Sequence, residues 1–325
     1  MKKLLFFFAI AAAAVCNVAC SQEEADNAGE YQSRDVTLDI TVPVAGTRVT
    51  DITGEGNVVN LQVFVFREDG SLDAWTSAES SSVSLKCTAG RKHIAAVVNA
   101  PSLTDVKDRA SLERSVSGLG DNSVGRYVMY GSKDETVAVQ ADITIAVSRL
   151  VARVGISKIT NAFTLDQYRD AELKITGIYL VNVAGDALYA GGGVPSVWLN
   201  RQRLADDVPA LLYSGTMDET VPYGESYSQP HYFYCYPNPT ANDSDDKEWS
   251  PRYTRLVVEV SIDGKTYYYP VSVEGLESNH KYEITELRIT RTGSDDPDVP
   301  VSFGDASFTI SVSDWEQGSS EAVEI

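Results

Sequence analysis

Hydrophobic residues recur with a period of two along much of this chain, and that period sets its fold class. The clearest case is VTLDITV at 36–42, where Val36, Leu38, Ile40 and Val42 are apolar and Thr37, Asp39 and Thr41 are polar. Alternation of this kind sends one row of side chains into a core and the other into water, as in a half-buried β-strand. A stronger strand follows at 61–66, LQVFVF, and runs into the turn REDG. Further β-like runs lie at 82–90, 93–101, 126–132, 141–160, 171–191, 255–262, 265–273 and 281–290. Val, Thr and Ser are plentiful and there are 17 tyrosines, which suits strands. Two hairpins are expected: one across Ala89-Gly90-Arg91, and one across Asp263-Gly264, a dipeptide suited to the left-handed turn between paired strands. The polar stretch 102–122 has room for a short helix, and 192–250 is rich in loop residues.

Two halves can be overlaid. VTLDITV, LQVFVF and REDGSLDAW in the first correspond to ITIAVSRLVARV, TGIYLVNV and AGDALYAG in the second. Each has a long strand, a second strand with aromatics and a glycine-containing turn. The expected fold class is therefore all-β: two β-sandwich domains in tandem, joined near 135–141, with mobile N- and C-terminal strands. The expected divisions are a leader at 1–20, a tether and first strand at 21–48, domains at 49–137 and 138–294, and a linker and last strand at 295–325. In that last segment Phe308, Ile310 and Val312 alternate with Ser307, Thr309 and Ser311, and Val323 and Ile325 close the chain.

Residues 1–20 read as a secretory signal: Lys2 and Lys3, then an apolar run from Leu4 to Val15 that is too short to span a bilayer. It ends in NVAC, which resembles a bacterial lipobox, with Asn17 where leucine is usual; Cys20 would then be acylated and hold the chain to a membrane without spanning it. The acidic run Glu23, Glu24 and Asp26 resembles the export tag of surface lipoproteins of Bacteroidales, and also reads as a solvated tether. A net charge of −19 argues against nucleic acid and anionic lipid headgroups as partners. Of four cysteines, Cys16 belongs to the leader and Cys20 to the lipid site. Cys87 and Cys235 are read as buried, inert residues, a single disulfide being the alternative.

A search for catalytic chemistry finds no phosphate-binding loop, no GxSxG, no HExxH and no CxxC. His93, His231 and His280 lie far apart and read as strand or loop positions. NDSDD at 242–246 lacks the spacing of a calcium loop. Tyr267, Tyr268 and Tyr269 alternate faces of one strand and read as packing residues. The expectation is no enzyme, no cofactor and no metal.

TRVTDITGEGNVVNLQVFVFREDGSL, IAAVVNAP, YVMYGS, ITIAVSRLVARVGI and FTISVSDWEQG…VEI occur in an order that resembles the fimbrillins, the major pilus (type V) subunits of Bacteroidales. The resemblance implies two transthyretin-like sandwiches and export as a palmitoylated lipoprotein through Cys20 to the outer membrane. It also implies cleavage by an arginine-specific protease after the first strand. Arg48, in a Gly/Thr/Asp-rich loop, is the candidate; Arg34 is the poorer one, because a cut there leaves the strand attached. Val36, Leu38, Ile40 and Val42 would then form a removable strand. Phe308, Ile310, Val312, Val323 and Ile325 would form a donor strand that fills the vacated groove of the next copy. A sheet that has lost a strand is a template for strand addition, and a head-to-tail contact of that kind does not close. The implied partners are other copies and other fimbrial subunits, at the cell surface, in adhesion and biofilm. Two alternatives are a subunit that keeps its lipid as an anchor and a surface glycan-binding lipoprotein.

Overall fold

A computed structural model of the chain describes residues 35–43, 52, 54–243, 249–302 and 305–315. Its N-terminal strands are β1 (Asp35–Thr41), β2 (Leu61–Arg67), β3 (Leu72–Ala78), β4 (Ser82–Thr88), β5 (Gly90–Val98), β6 (Val116–Gly118), β7 (Met129–Val137), β8 (Ala141–Thr144) and β9 (Ser148–Arg149), with a short helix, α1 (Arg109–Glu113), after β5. They form a three-stranded sheet, β4-β1-β8, and a five-stranded sheet, β3-β2-β5-β7-β9. The period of two decides what lies between them. Leu38 and Ile40 of β1 meet Leu61, Val63 and Val65 of β2 and Ile94, Ala96 and Val98 of β5 in one core. The intervening Phe64, Phe66, Ala95 and Val97 turn to the other face, where Val106, Leu112 and Leu119 cover them. Residues 61–66 are therefore buried on both faces. The expected helix is α1; Asp108 caps it by accepting the Ser111 amide at 2.7 Å.

The second half consists of β10 (Ala152–Ile156), β11 (Ile159–Asn161), β12 (Leu173–Val181), β13 (Val183–Ala184), β14 (Asp186–Leu188), β15 (Trp198–Leu199), β16 (Glu219–Thr220), β17 (Ser226–Tyr227), β18 (His231–Cys235), β19 (Thr254–Ile262), β20 (Lys265–Val273), β21 (His280–Ile289) and β22 (Ala306–Asp314). One sheet runs β16-β12-β19-β20. In the other, β10 and β11 lie end to end along β21, with β18 and β17 outside them, and β22 pairs antiparallel with β21. The second core fills the space between these sheets and continues to the covered face of β2 and β5. A small ribbon, β6 with β14, links the halves. The fold is all-β, as expected, and β19 and β20 form the expected hairpin, with φ of 49° at Asp263 and 82° at Gly264.

Two expectations about pairing fail. β4 and β5 are not a hairpin: β4 pairs with β1, whereas β5 pairs with β2 and β7. Gly90, at φ 117°, turns the chain from one sheet to the other. The apparent long strand 141–160 is four strands serving both halves. Ile143, Ile145 and Val147 enter the first core, while Leu150, Val151, Ala152 and Val154 enter the second. Strand pairing thus keeps 141–149 with the first sandwich, beyond the junction read near 135–141.

Candidate functional site

β1 is the central strand of its sheet. It pairs antiparallel with β4 over seven positions, from Asp35 opposite Thr88 to Thr41 opposite Ser82. On its other side it runs parallel to β8 over four positions, Leu38 to Thr41 beside Ala141 to Thr144. Two further bonds close the end of the strand, from the Val42 amide to the Ser81 carbonyl at 2.9 Å and from the Ile145 amide to the Thr41 carbonyl at 3.0 Å. Val36, Leu38, Ile40 and Val42 point inward with exposures of 5, 0, 0 and 1%. Facing them are Val83, Leu85 and Cys87 of β4 and Ile143 of β8. Asp39, on the outer face, accepts the Gln140 side-chain amide at 3.0 Å. Without β1, two strands would lose their neighbour and four apolar pockets would open, at a cost of about 1.5–3 kcal/mol for each side chain. The structure thus brings together the four residues of the sequence-predicted removable strand.

Arg34 and Arg48, the candidate cut sites, lie outside the described residues, as do Cys20, Val323 and Ile325. Between 43 and 54 only Ile52 is described; beyond it Gly54 begins a turn. The predicted donor residues Phe308, Ile310 and Val312 all lie on β22, in the sheet of the second sandwich. Ile310 is 6% exposed there, and Phe308 and Val312 are partly buried. The linker ahead of β22, a run of turn and acidic residues, contains a staple: Asp298 is 5% exposed and pairs with Arg252 at 2.6 Å and Arg255 at 3.2 Å.

Sequence reasoning missed a buried polar cluster where the segment beyond Arg48 meets the end of β22. Glu55 is 2% exposed. Its carboxylate accepts Arg153 at 2.9 Å, the Tyr234 hydroxyl at 2.8 Å and the Trp315 indole N–H at 3.0 Å. Its backbone carbonyl accepts the Arg149 Nε–H at 2.9 Å. The Trp315 ring stacks on Tyr234 at 6.0 Å and lies under the Arg149 guanidinium at 4.6 Å. Arg153 also pairs with Glu283 at 3.0 Å. Burial works against the Arg153 charge, but Glu283 and Glu55 outweigh it and raise its pKa. Burial raises that of Glu283 despite Arg153, and burial pushes the Tyr234 phenol well up. Gly155 makes room for this cluster, because a Cβ there would collide with the Glu283 carboxylate. A lone tryptophan in the otherwise polar DWEQG segment is the one sequence signal that could have drawn attention to this end of the chain, without naming its partners.

Other candidate residues have local partners. His93 meets Asp134 at 2.7 Å, His231 meets the Tyr227 hydroxyl at 2.8 Å, and His280 meets Asp314 at 2.8 Å. Among the described residues no group of three His, Cys, Asp or Glu side chains is placed to hold a metal. Tyr269 is in the core and Tyr267 packs beside it, while Tyr268 packs on the opposite face near Tyr179. Cys87 and Cys235 are both free and buried; burial pushes the Cys87 thiol up to about 11. Trp75 is exposed, Trp198 and Trp249 pair at 5.9 Å, and Trp315 is buried.

Residues 36–163 match the family model of the major fimbrial subunit protein (FimA), and the match begins at the first apolar residue of β1. In fold, the chain is similar to a candidate cell adhesion protein from Parabacteroides distasonis, with 18% identity, TM-score 0.61, and 88% of this chain and 98% of that one covered. A fimbrilin (FimA) from Porphyromonas gingivalis is similar at 15% identity and TM-score 0.59, covering 86% and 97%. The tip fimbrial protein Mfa3 of the same organism is similar at 14% identity and TM-score 0.51, covering 87% and 100%. Among curated proteins no sequence matches. The fold class is thus that of two-sandwich, all-β proteins. The resemblance to Bacteroidales fimbrillins stands, on residues 36–163 in sequence and on most of the chain in fold. The matching family is one of structural subunits.

Proposed function

We propose that this chain is a structural subunit of a cell-surface fimbrium that polymerises by strand exchange. It is exported as a lipoprotein acylated at Cys20 and held at the outer membrane. An arginine-specific protease cuts after Arg48, the segment carrying β1 leaves, and the C-terminal strand of another subunit fills the slot. The assembled fibre serves adhesion and biofilm. The observation that carries this reading is β1 itself: its apolar row is buried and it pairs with both β4 and β8, while Arg48 follows it in sequence ahead of β2. A central strand placed where one cut can release it serves as a plug, and its removal leaves a template that only an alternating apolar strand can satisfy.

The test uses residues 21–325, which lack the lipid site. The folded protein is treated with an arginine-specific protease, its new N-terminus is read by mass spectrometry, and the product is run unboiled on a denaturing gel. A new start at Val49 with a ladder of multimers is expected, and deleting 307–325 should abolish the ladder. If Arg48 resists cutting, a subunit that keeps its lipid as an anchor becomes the better reading. A cut product that stays monomeric and binds polysaccharide would replace the proposal with the glycan-binding lipoprotein.

A further inference from the structure

The two ends of β5 have different surroundings. Its Val98 end meets the second sandwich: Asn99 donates to the Tyr127 carbonyl at 3.0 Å, and the Tyr127 ring packs on Tyr234 at 4.5 Å. Its Gly90 end lies roughly 27 Å away along the strand. There the turn after β2, the first residues of β5, the last of β7 and the start of α1 enclose a cavity of about 460 Å³, within the size range of small-molecule pockets. A second cavity, of about 390 Å³, shares Arg67, Glu68, Arg91 and Lys92 with it. The chain as a whole carries −19, yet here four cations, Arg67, Arg91, Lys92 and Arg109, face three carboxylates, Glu68, Asp134 and Glu135. We propose that this cavity binds the carboxylate of an acidic sugar, with Arg91 and Arg109 gripping the carboxylate and Glu68, Glu135 and Thr136 accepting hydroxyls. The site belongs to the folded monomer and does not need strand exchange. It gives the adhesion reading above a ligand class, and a fibre would repeat it at every subunit, where weak single contacts add up.

Floor and rim of the cavity differ. On the floor the Lys92 ammonium pairs with Asp73 at 2.7 Å, both buried, and Arg67 pairs with the same carboxylate at 2.5 Å, so these cations are fixed in place. On the rim Arg91, 73% exposed, meets Glu68 through one terminal nitrogen at 3.2 Å, and Arg109 meets Glu113 through its Nε at 2.7 Å. Exposed pairs of this kind contribute little to a fold, so stability does not account for the two arginines. A guanidinium carries five N–H donors in one plane, and a carboxylate takes two of them side by side. Asp134 shows how a carboxylate fares here. Its side chain is 80% exposed, yet the bond from His93 at 2.7 Å, with Arg109 and Arg91 nearby, holds its carboxyl below the ordinary value. A guest carboxylate enters the same field. The charge of the rest of the chain does not cancel that field, because exposed charges more than about 8 Å apart are largely screened at physiological salt. The lining has donors and acceptors and, among the described residues, no Leu, Ile, Val or Phe, which suits a charged polyol rather than an acyl chain. Its three carboxylates oppose a doubly charged phosphate more than a singly charged sugar acid. Gly70, at φ 84°, leaves one wall without a side chain.

The test titrates uncut residues 21–325 at low salt with sialyllactose and with a hyaluronan tetrasaccharide, read by calorimetry and by NMR shifts, with lactose and sodium acetate as controls. At least one acidic sugar should bind, at least tenfold tighter than lactose or acetate. Binding by the first alone assigns a sialate, and by the second alone a uronate. Arg91→Ala and Arg109→Ala should each weaken binding on the order of tenfold, and the double variant should abolish it, because each removes a charge-assisted fork. Arg91→Lys should recover only part, since an ammonium has the charge without the fork. Both positions are exposed, so melting should move by less than about 2 °C. Arg288→Ala, an exposed arginine on β21, should leave binding unchanged. No binding of either sugar overturns the proposal. So does equal binding of acetate, which would mean that a bare anion suffices, and so does unchanged binding in the double variant, which would place the sugar elsewhere. Each of these leaves strand exchange standing, because the uncut monomer is what is titrated. The double variant, once cut, should form the same ladder as the unmodified chain, and a ladder absent from both would reject strand exchange while leaving the sugar site.

Discussion

Leu38→Ala separates the plug from the rest of the molecule. Leu38 is fully buried, opposite Leu85 on β4 and in the core with Leu61 and Val63. Truncating a leucine so placed costs about 2–5 kcal/mol, part from lost transfer energy and part from the cavity left behind. Taking about 3 kcal/mol, and about 3–4 °C per kcal/mol for a domain of roughly this size, the precursor should melt about 10 °C lower. The assay is calorimetry of residues 21–325 before and after protease treatment. Before cutting, the variant should show the full loss. After cutting and assembly it should match the unmodified protein, because β1 is no longer part of the particle. A precursor that loses less than about 2 °C would mean that β1 does not bear on the stability of the first sandwich. Equal losses before and after cutting would mean that β1 stays in place, and would refute the account of the slot.

Trp315→Phe keeps a ring in the junction but removes a donor from the buried Glu55 carboxylate. A loss of about 1–3 kcal/mol is expected in urea unfolding, together with faster ladder formation after cutting, read by timed gel sampling. Gly155→Ala drives a methyl group into Glu283 and within 2.9 Å of the Tyr232 ring, and should cost about 1–3 kcal/mol by the same assay. Asp73 supplies a pH test. Burial works to raise its carboxyl, but bonds from Lys92 and Thr88 outweigh it and hold it below the usual 3.8. A carboxyl depressed by folding adds stability that is present above its unfolded value and is lost as pH falls through the folded one. The urea midpoint of the precursor should therefore fall below pH 3.8, and Asp73→Asn should lower the midpoint at pH 7 while flattening that acid limb.

What was legible in the sequence was which way side chains face. The alternation at 36–42, the doubly buried run at 61–66 and the Asp263-Gly264 turn are local signals, and each has a local physical cause: the pleat, burial on two faces and a left-handed turn. Which strand lies beside which is a different question, and alternation is silent on it. Residues 82–98 look like a hairpin because a corner between sheets and a turn within one both call for glycine. Residues 141–160 look like one strand because two cores draw on one apolar run. The Glu55 cluster was illegible for the same reason in stronger form, since its members are 260 positions apart at the extreme and none has a neighbour in sequence that reveals its partner.

The two ends of the chain show how local and non-local information divide the work. VTLDITV and ASFTISV read alike because both suit a pleated surface with one apolar side, so sequence alone assigns them the same kind of place. The structure gives them different places, one between two strands and one on a single edge. That difference, absent from either segment alone, would give the proposed exchange its direction. A donor as well buried at home as the plug is in its slot would gain nothing by moving. A donor with no home would leave its apolar row exposed until a partner arrived, and β22 lies between these limits.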